Sequence, residues 1–294
     1  MQLHLIDATY ELFRAFHALP PIKAPDGGDV AAVYGLLSSL LSLLKDPAVT
    51  HVGCATDHTV ESFRNQLFAG YKTGEGVPEV LMRQFPLAEE GLRALGLVVW
   101  PMVEFEADDA LAAAAHRWGD AFERVLVCSV DKDLAQCVRG DHVVLWDRRR
   151  EKVYDEAAVV AKWGVPPRSI PDLLALIGDT ADGLPGVPGW GAKSAAALLS
   201  AYGAIEAIPP DAAAWTVAGV KVRGAERLAA SLRERRDDAL LWKRLATLRV
   251  DVPLAEDLDG LRWQGAPRAE FAAFCQRLGF KKMVDRPTRW RDGP

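Results

Sequence analysis

The sequence is short of cysteine, of histidine and of long apolar runs, and each shortage removes a class of protein. Its four cysteines, Cys54, Cys128, Cys137 and Cys275, form no C-x-x-C pair. The first two lie inside apolar strand-like stretches, so they read as reduced core residues and not as a disulfide framework or a zinc site. The six histidines are scattered without ligand spacing, which leaves no imidazole set for a softer metal. The longest greasy stretch, AAVYGLLSSLLSLL, falls short of a membrane span and carries serines. The opening MQLHLIDATY lacks a basic leader and sets Asp7 where a signal peptide would still be apolar. A cytoplasmic protein that meets no membrane is expected. Positive charge is also scarce, with 35 Lys and Arg against 40 Asp and Glu and a formal charge of −5. That argues against a simple nucleic-acid binder, although clustered acids can mask a basic face elsewhere.

What the chain has is acid in particular places. Its 294 residues, half of them hydrophobic, can bury a full core as one large domain or a domain with an appendage. Four strand-like runs, LHLIDA (3–8), HVGCATD (51–57), VLVCSVD (125–131) and VVLWD (143–147), alternate with patterns of helical period such as PEVLMRQFPLAEEGLRALG and DDALAAAAHRW. The alternation predicts an α/β fold with a mostly parallel central sheet flanked by helices. All four runs close on an aspartate: Asp7, Asp57, Asp131 and Asp147. In open α/β sheets the carboxyl ends of the strands face one crevice, so these acids are expected to converge. Asp133 follows Asp131; FEADDA adds Glu106, Asp108 and Asp109 at the start of an alanine-rich helix; GDTAD adds Asp179 and Asp182, which share a face if that segment is helical.

Each acid also has a plain structural reading. Carboxylates at helix starts cap free N–H groups, and aspartate is common in turns. Asp147 is assigned to the charged turn DRRRE on that ground. As a set, however, the acids would repel one another unless something cationic lay among them. Oxygen ligands without a His/Cys competitor suit magnesium or manganese. Two such ions about 4 Å apart stabilise the attacking and leaving oxygens of a phosphodiester displacement.

From about residue 170 the chain turns helical, broken by GDTADGLPGVPGWGAK. This is not a P-loop, since Ala192 separates Gly191 from Lys193 and no strand precedes it. It reads as a helix, a tight glycine turn and a second helix, opened by Lys193 and Ser194, whose first N–H groups can hold a phosphate. Lys193 either meets that phosphate or faces water, and Trp190 reads as a hydrophobic anchor. SFRNQLFAGYKTGEGVPEV interleaves Arg64, Tyr71 and Lys72, which suits a flexible nucleic-acid strand or simply a solvated loop. The tail, RPTRWRDGP, is expected to fray.

Taken in order, LIDATYELFRAF, AVYG, SFRNQLFAGYK, FEADD, SVDKDLAQ, GDTADGLPGVPGWGAKSA and FCQRLGF resemble the 5′-nuclease, or flap endonuclease, family, and most nearly its bacterial DNA polymerase I branch, from residue 3 to about 280. The resemblance implies a PIN-like nuclease core over 1–170 with a helical arch at about 64–90, then a DNA-binding helix–three-turn–helix subdomain over 171–262 with its helix–turn–helix at about 174–202, and a C-terminal helix with basic tail over 263–294. It implies a free-standing, monomeric, metal-dependent hydrolase that cuts branched or 5′-ended DNA, RNA-primed DNA included. Its metal ligands would be Asp7, Asp57, Glu106, Asp108, Asp109, Asp131, Asp133, Asp179 and Asp182. Lys72 would sit by the scissile phosphate, Arg14 near the active site, and Arg64 and Tyr71 along the strand. Gly186, Gly189 and Gly191 would grip the duplex backbone, with potassium at that turn. The chain departs from the family pattern at Glu75 and Gly76, where another base is frequent, and at Gly183, where asparagine is common. A non-catalytic junction binder and a metal-dependent ribonuclease are the alternatives.

Overall fold

The computed structural model describes residues 1–217 and 221–291. In chain order the elements are β1 (Gln2–Asp7), α1 (Ala8–Ala18), α2 (Ala31–Leu43), β2 (Val49–Asp57), α3 (Phe63–Leu67), α4 (Glu79–Met82), α5 (Gln84–Ala94), β3 (Val98–Met102), α6 (Ala107–Trp118) and β4 (Arg124–Cys128). They continue as β5 (Val143–Asp147), β6 (Lys152–Tyr154), α7 (Glu156–Trp163), α8 (Ile170–Ile177), α9 (Ala192–Tyr202), α10 (Ala212–Val217), α11 (Ala225–Glu234), α12 (Arg236–Ala246) and α13 (Arg268–Leu278). Packing divides the chain into two units. The first comprises Met1–Ser62, Gly74–Ser129 and Arg249–Pro294, the second Phe63–Thr73 and Val130–Leu248. By packing, β5, β6 and α7 group with the helical region and α13 with the first unit.

The first unit is built on β1, which pairs in parallel with β2 on one side and β4 on the other, while β3 adds in parallel to β2. Leu3, Leu5, Ile6, Cys54, Ala55, Val125 and Val127 are fully enclosed, as strands covered on both faces by helices must be. The sequence reading missed β3 and β6. Pro101 within VVWPM demotes a run to non-strand, and KVY is only three residues long. The expected helix over 78–96 is two helices, α4 and α5, meeting at Arg83. The tail does not fray as far as Arg291. Arg286 donates to Ser38 Oγ at 2.9 Å, the Arg291 N–H donates to the Ala266 carbonyl at 3.0 Å, and Trp290 packs on Phe271 under the Arg268 guanidinium. An aromatic anchor and backbone pairing hold a segment that composition alone marks as loose. Asp292 to Pro294 lie outside the described residues.

In the second unit α8 and α9 flank the glycine turn, as expected, and α12 packs beside α8. A part-buried ion pair, with Asp172 the buried partner, joins them. Lys243 Nζ reaches Asp172 Oδ1 at 2.8 Å and Glu206 Oε2 at 2.7 Å, and Asp172 also accepts the Ile205 N–H at 2.7 Å. Burial raises the Asp172 carboxyl in spite of these bonds, so the carboxylate tolerates its site only with the lysine present. Lys243→Met is expected to lower stability by about 2–3 kcal/mol by stranding that charge; a double variant with Asp172→Asn that recovers most of the loss in a urea melt would confirm the cause.

No helix among the described residues is long and apolar enough to cross a membrane. Cys54, Cys128 and Cys275 are buried, and Cys137 is half-buried.

Candidate metal centre

The parallel arrangement of the first unit puts the carboxyl ends of β1 and β2 on one edge of the sheet, and each ends in an acid. Asp7 caps α1, accepting the Tyr10 N–H at 2.8 Å, and takes the Ser129 hydroxyl at 2.7 Å on its other oxygen. Asp57 accepts the Ala107 N–H at 2.8 Å, which ties the end of β2 to the start of α6, and its own N–H donates to Thr9 Oγ1 at 2.8 Å. Glu106 and Asp109 form a reciprocal capping box at the α6 N-terminus; the Ser62 hydroxyl donates to Glu106 at 2.7 Å and the Arg249 N–H to Asp109 at 2.9 Å. Asp108, half-buried, lies between them in the first helical turn. The capping role considered for these acids is thus real, and it does not compete with metal binding. An ionised carboxylate has about four acceptor positions, so one bond to a backbone N–H fixes its aim and leaves capacity for a cation.

In the second unit the structure brings three acids very close. One carboxylate oxygen from each of Asp133, Asp179 and Asp182 lies within 4.8 Å of the others, and all three residues are buried. Asp179 and Asp182 do not share a helix face, as the sequence reading allowed. A two-way backbone bridge between Asp179 and Leu184, 2.8 Å in each direction, folds the segment into a tight turn. Asp131 stands beyond the end of β4, not on it, and its Oδ1 accepts the Asp133 N–H at 2.9 Å to start a 3-10 turn. Two lysines enter the cluster: Lys132 Nζ at 2.7 Å from Asp179 and Lys72 Nζ at 3.0 Å from Asp182.

These cations do not balance the cluster. Desolvation first, and then the charges of Asp131, Asp182 and Asp179, push the Asp133 carboxyl well above the ordinary carboxylate range. Asp131 rises for the same leading reason, with Asp182 adding to it and Lys72 and Lys132 opposing. Burial alone would lower the Lys132 ammonium, but its bond to Asp179 and the surrounding acids hold it above its usual value. Asp133 Oδ1 is moreover buried with no hydrogen-bond partner. A stranded carboxylate oxygen beside two other buried carboxylates is a donor set for a hard divalent ion.

The remaining site candidates divide. Lys72 stands at the cluster. Arg64 and Tyr71 do not face solvent: they are 1% and 4% exposed, and Arg64 donates through Nε to the Leu245 carbonyl at 2.7 Å and through a terminal nitrogen to Thr247 at 3.3 Å, at the end of α12. In this structure neither is placed to lie along a strand. Residues 64–90 comprise α3, α4 and part of α5, with no helix over 68–78. Arg14 lies two turns along α1 from Asp7, where its guanidinium is engaged by Glu11 and Ser39. Gly186 and Gly189 take left-handed φ values, and a Cβ at Gly186 would come within 2.4 Å of the Gly178 nitrogen. Gly191 caps α9 without a side-chain bond, Lys193 is exposed and Ser194 half-buried. Trp190 is the anchor expected, buried and donating to the Leu228 carbonyl at 3.2 Å. Sequence reasoning missed Thr9, Ser62, Ser129 and Lys132. Only Lys132 carried a signal, set between two candidate acids in SVDKDLAQ; a hydroxyl that orients a carboxylate from across the fold has no sequence mark.

A family model described as the 5′-3′ exonuclease N-terminal resolvase-like domain matches residues 2–164, and one described as the 5′-3′ exonuclease C-terminal SAM fold matches residues 165–269. The chain belongs to the 5′-3′ exonuclease family. Membership makes it a nuclease, a hydrolase of phosphodiester bonds, on an α/β core with a SAM-like helical part. A DNA polymerase I of Pseudomonas aeruginosa is 38% identical over 286 residues, which is 96% of this chain and 31% of that protein. The chain spans about a third of the length of the curated relatives it matches. Among solved structures, bacteriophage T5 5′-exonuclease with bound zinc aligns with a TM-score of 0.70 at 18% identity, over 95% of this chain and 100% of that one. A bacteriophage T5 flap endonuclease complex with DNA and metal ions aligns with a TM-score of 0.64 at 19% identity, over 84% and 89%. These two establish likeness of fold. Divalent metal ions fit the carboxylate cluster of this 5′-3′ exonuclease.

Proposed function

We propose that this 5′-3′ exonuclease is a structure-specific 5′-nuclease, using magnesium or manganese to cut branched or 5′-ended DNA near a junction of single and double strand. The observation that carries the reading is the buried trio Asp133, Asp179 and Asp182 with its stranded Asp133 oxygen, in a chain whose family cuts from 5′ ends. The T5 relative of like fold holds DNA and metal ions together. Asp7, Asp57, Glu106, Asp108 and Asp109 in the first unit and Asp131, Asp133, Asp179 and Asp182 in the second are the residues that would hold the ions. When bound, such ions polarise the phosphodiester and lower the pKa of an attacking water.

The chain's own groups do the rest. Asp7, Asp57 and Asp131 are each aimed by a backbone N–H, so no reorganisation is required when a cation arrives. Lys72, fixed by its main-chain bond to the Asp182 carbonyl at 3.1 Å, places positive charge where the phosphate becomes more negative. The uncapped start of α9, with Lys193 and Ser194, offers N–H groups to a duplex phosphate, and the turn of Gly186, Gly189 and Gly191 is the place for potassium. The nuclease domains are then the core read over 1–170, the DNA-binding helices over 171–262 and the C-terminal helix beyond. Mostly buried cysteines suit a monomer working in the cytoplasm, on substrates that include RNA-primed DNA.

An end-labelled 5′-flap duplex tests this. Cutting at the junction is expected with magnesium and with manganese, none with chelator, and little on an unbranched duplex; binding without cutting in any ion would leave a junction binder, and faster cutting of an RNA flap a ribonuclease. Lys72→Ala is expected to slow cutting at saturating DNA by about 10²–10³-fold with the fold retained by circular dichroism. A loss below tenfold would remove Lys72 from the reaction.

A further inference from the structure

The acidic chain carries one dense run of cations that the nuclease chemistry does not use. RRREK at 148–152 sets four cations in five residues, where the whole chain has 35 in 294. It forms the tip of the antiparallel β5–β6 hairpin, with Glu151 at φ 52° making the turn. Glu151 is the one exposed acid inside the run, and three acids beside it are engaged in structure. Asp147, buried, accepts the N–H groups of Arg149 and Arg150 at 3.1 Å each; Asp155 caps α7 through the Ala158 N–H at 2.8 Å; Glu156 accepts the Gly140 N–H at 3.1 Å. The cations face outward: Arg149 and Lys152 are exposed, and the Arg150 side chain stays 73% exposed although it reaches Asp147 at 3.3 Å. Exposed Lys162 extends the patch along α7, its Nζ lying 4.4 Å from the Tyr154 ring centroid and 4.2 Å from that of Trp163. Aromatic faces hold an ammonium in place and leave its N–H groups for an anion.

The patch is joined to the helix start that would hold duplex phosphate. Gly164, which ends α7, is pressed against α9: a Cβ there would lie 2.8 Å from that of Ala196, and Ser200 donates to the Gly164 carbonyl at 3.0 Å. Lys193 stands one turn before Ala196 on α9, and Lys162 two residues before Gly164. Eight residues of α7 and three of β6 can carry the hairpin tip up to roughly 20 Å from that junction with α9, which is several base pairs of DNA.

We propose that the β5–β6 hairpin and α7 form a second contact with the phosphate backbone of duplex DNA, continuous with the α9 contact and engaging the duplex farther from the junction. The proposal rests on the reading of the chain as a DNA-cutting enzyme. Its partner is the polyanionic backbone, read without base contacts, because Arg149, Arg150, Lys152 and Lys162 outnumber the exposed acids Glu151 and Glu156 and offer guanidinium and ammonium groups that suit phosphate.

The test is binding of 5′-flap DNA in chelator, so that nothing is cut, as a function of salt, with duplex arms of about 10 base pairs, one helical turn, and about 30. Arg149→Gln/Arg150→Gln/Lys152→Gln spares every group assigned to metal or to α9. On the long arm the variant is expected to bind at least tenfold more weakly than wild type at low salt, with a log–log salt slope shallower by about 2–3, near 0.9 for each phosphate the variant no longer neutralises. On the short arm the two proteins should bind alike, and cutting at saturating flap DNA in magnesium should be unchanged. Equal slopes on the long arm, or an equal loss on both arms, overturn the proposal. Failure of the nuclease reading shows separately, as wild-type protein that binds DNA and does not cut in either metal.

Discussion

Asp133→Asn is expected to abolish cutting and, in chelator, to make the protein more stable. The two effects have one origin. Asp133 is buried beside Asp179 and Asp182 with an oxygen that no donor reaches, and its carboxyl is driven well above the ordinary range by desolvation and by its neighbours' charge. Asparagine keeps the shape, removes the charge and sets an amide N–H beside the Asp179 and Asp182 carboxylates. Relief of like-charge repulsion and of buried ionisation is worth about 1–2 kcal/mol, or a rise of about 2–5 °C in the melting temperature for a chain of this size. Cutting should fall by at least about 10³-fold, because a neutral amide is a poor ligand for a hard cation. Magnesium should raise the melting temperature of the wild type and have little effect on the variant. A variant that melts lower than wild type in chelator, or that cuts at a rate near wild type, would remove Asp133 from the metal site.

The same shift gives the metal-free protein a pH dependence of definite sign. The folded-state values of Asp131 and Asp133 are raised, so across the interval from the ordinary carboxylate value near 4 up to the raised values the folded state binds more protons than the unfolded one. The corresponding stability is fully present below that interval and is lost as pH rises through the folded values. Melting in chelator at pH 5 and pH 8 should therefore show the higher temperature at pH 5. Saturating magnesium should shrink the difference, since the ion stabilises the ionised form.

The acids were legible in the sequence because they sit where apolar runs stop, and that is a local pattern. Asp7 and Asp57 do end parallel strands, and parallel strands aim their ends the same way. The meeting of Asp133 with Asp179 and Asp182 was not legible as geometry. It depends on a backbone bridge from Asp179 to Leu184 and on Gly183, whose φ of 73° and 2.1 Å approach of the Gly70 carbonyl to a would-be Cβ admit only glycine. The departure from asparagine at 183 thus has a steric reason in this chain. Arg64 misled for the opposite cause: a base among aromatics in a polar loop looks solvated, and only long-range packing against the end of α12 shows it buried. The hydroxyls of Ser62 and Ser129 left no trace, because an orienting bond from a distant segment imposes no spacing.

Arg64 is expected to act on catalysis through position, not through contact with DNA. Its guanidinium satisfies the Leu245 and Thr247 carbonyls where α12 ends, and those carbonyls carry the negative end of the helix dipole. From there the chain runs directly to Lys72. Phe68 N–H bonds the Arg64 carbonyl at 3.0 Å, Tyr71 N–H bonds the Phe68 carbonyl at 3.1 Å, and the Asn65 amide donates to the Lys72 carbonyl at 2.9 Å. Removing the anchor frees the segment that delivers the Lys72 ammonium to Asp182. Arg64→Ala removes the donor to the buried Leu245 carbonyl and to the part-buried Thr247 carbonyl and is expected to cost about 2–3 kcal/mol. Because that variant risks unfolding, Arg64→Lys is the more telling one: a single ammonium satisfies one carbonyl well and not both, keeps the charge, and should cost roughly half as much. Turnover should fall by about 10–100-fold, the scale set by displacing a group by about 1 Å, while KM for flap DNA and the salt slope of binding stay at wild-type values. A residue lying along the strand would behave in the reverse way, with raised KM, a slope shallower by about one unit for the phosphate left unneutralised and an unchanged melting temperature. Observing that second pattern for Arg64→Lys would return Arg64 to the DNA interface, and require α3 to open when DNA binds.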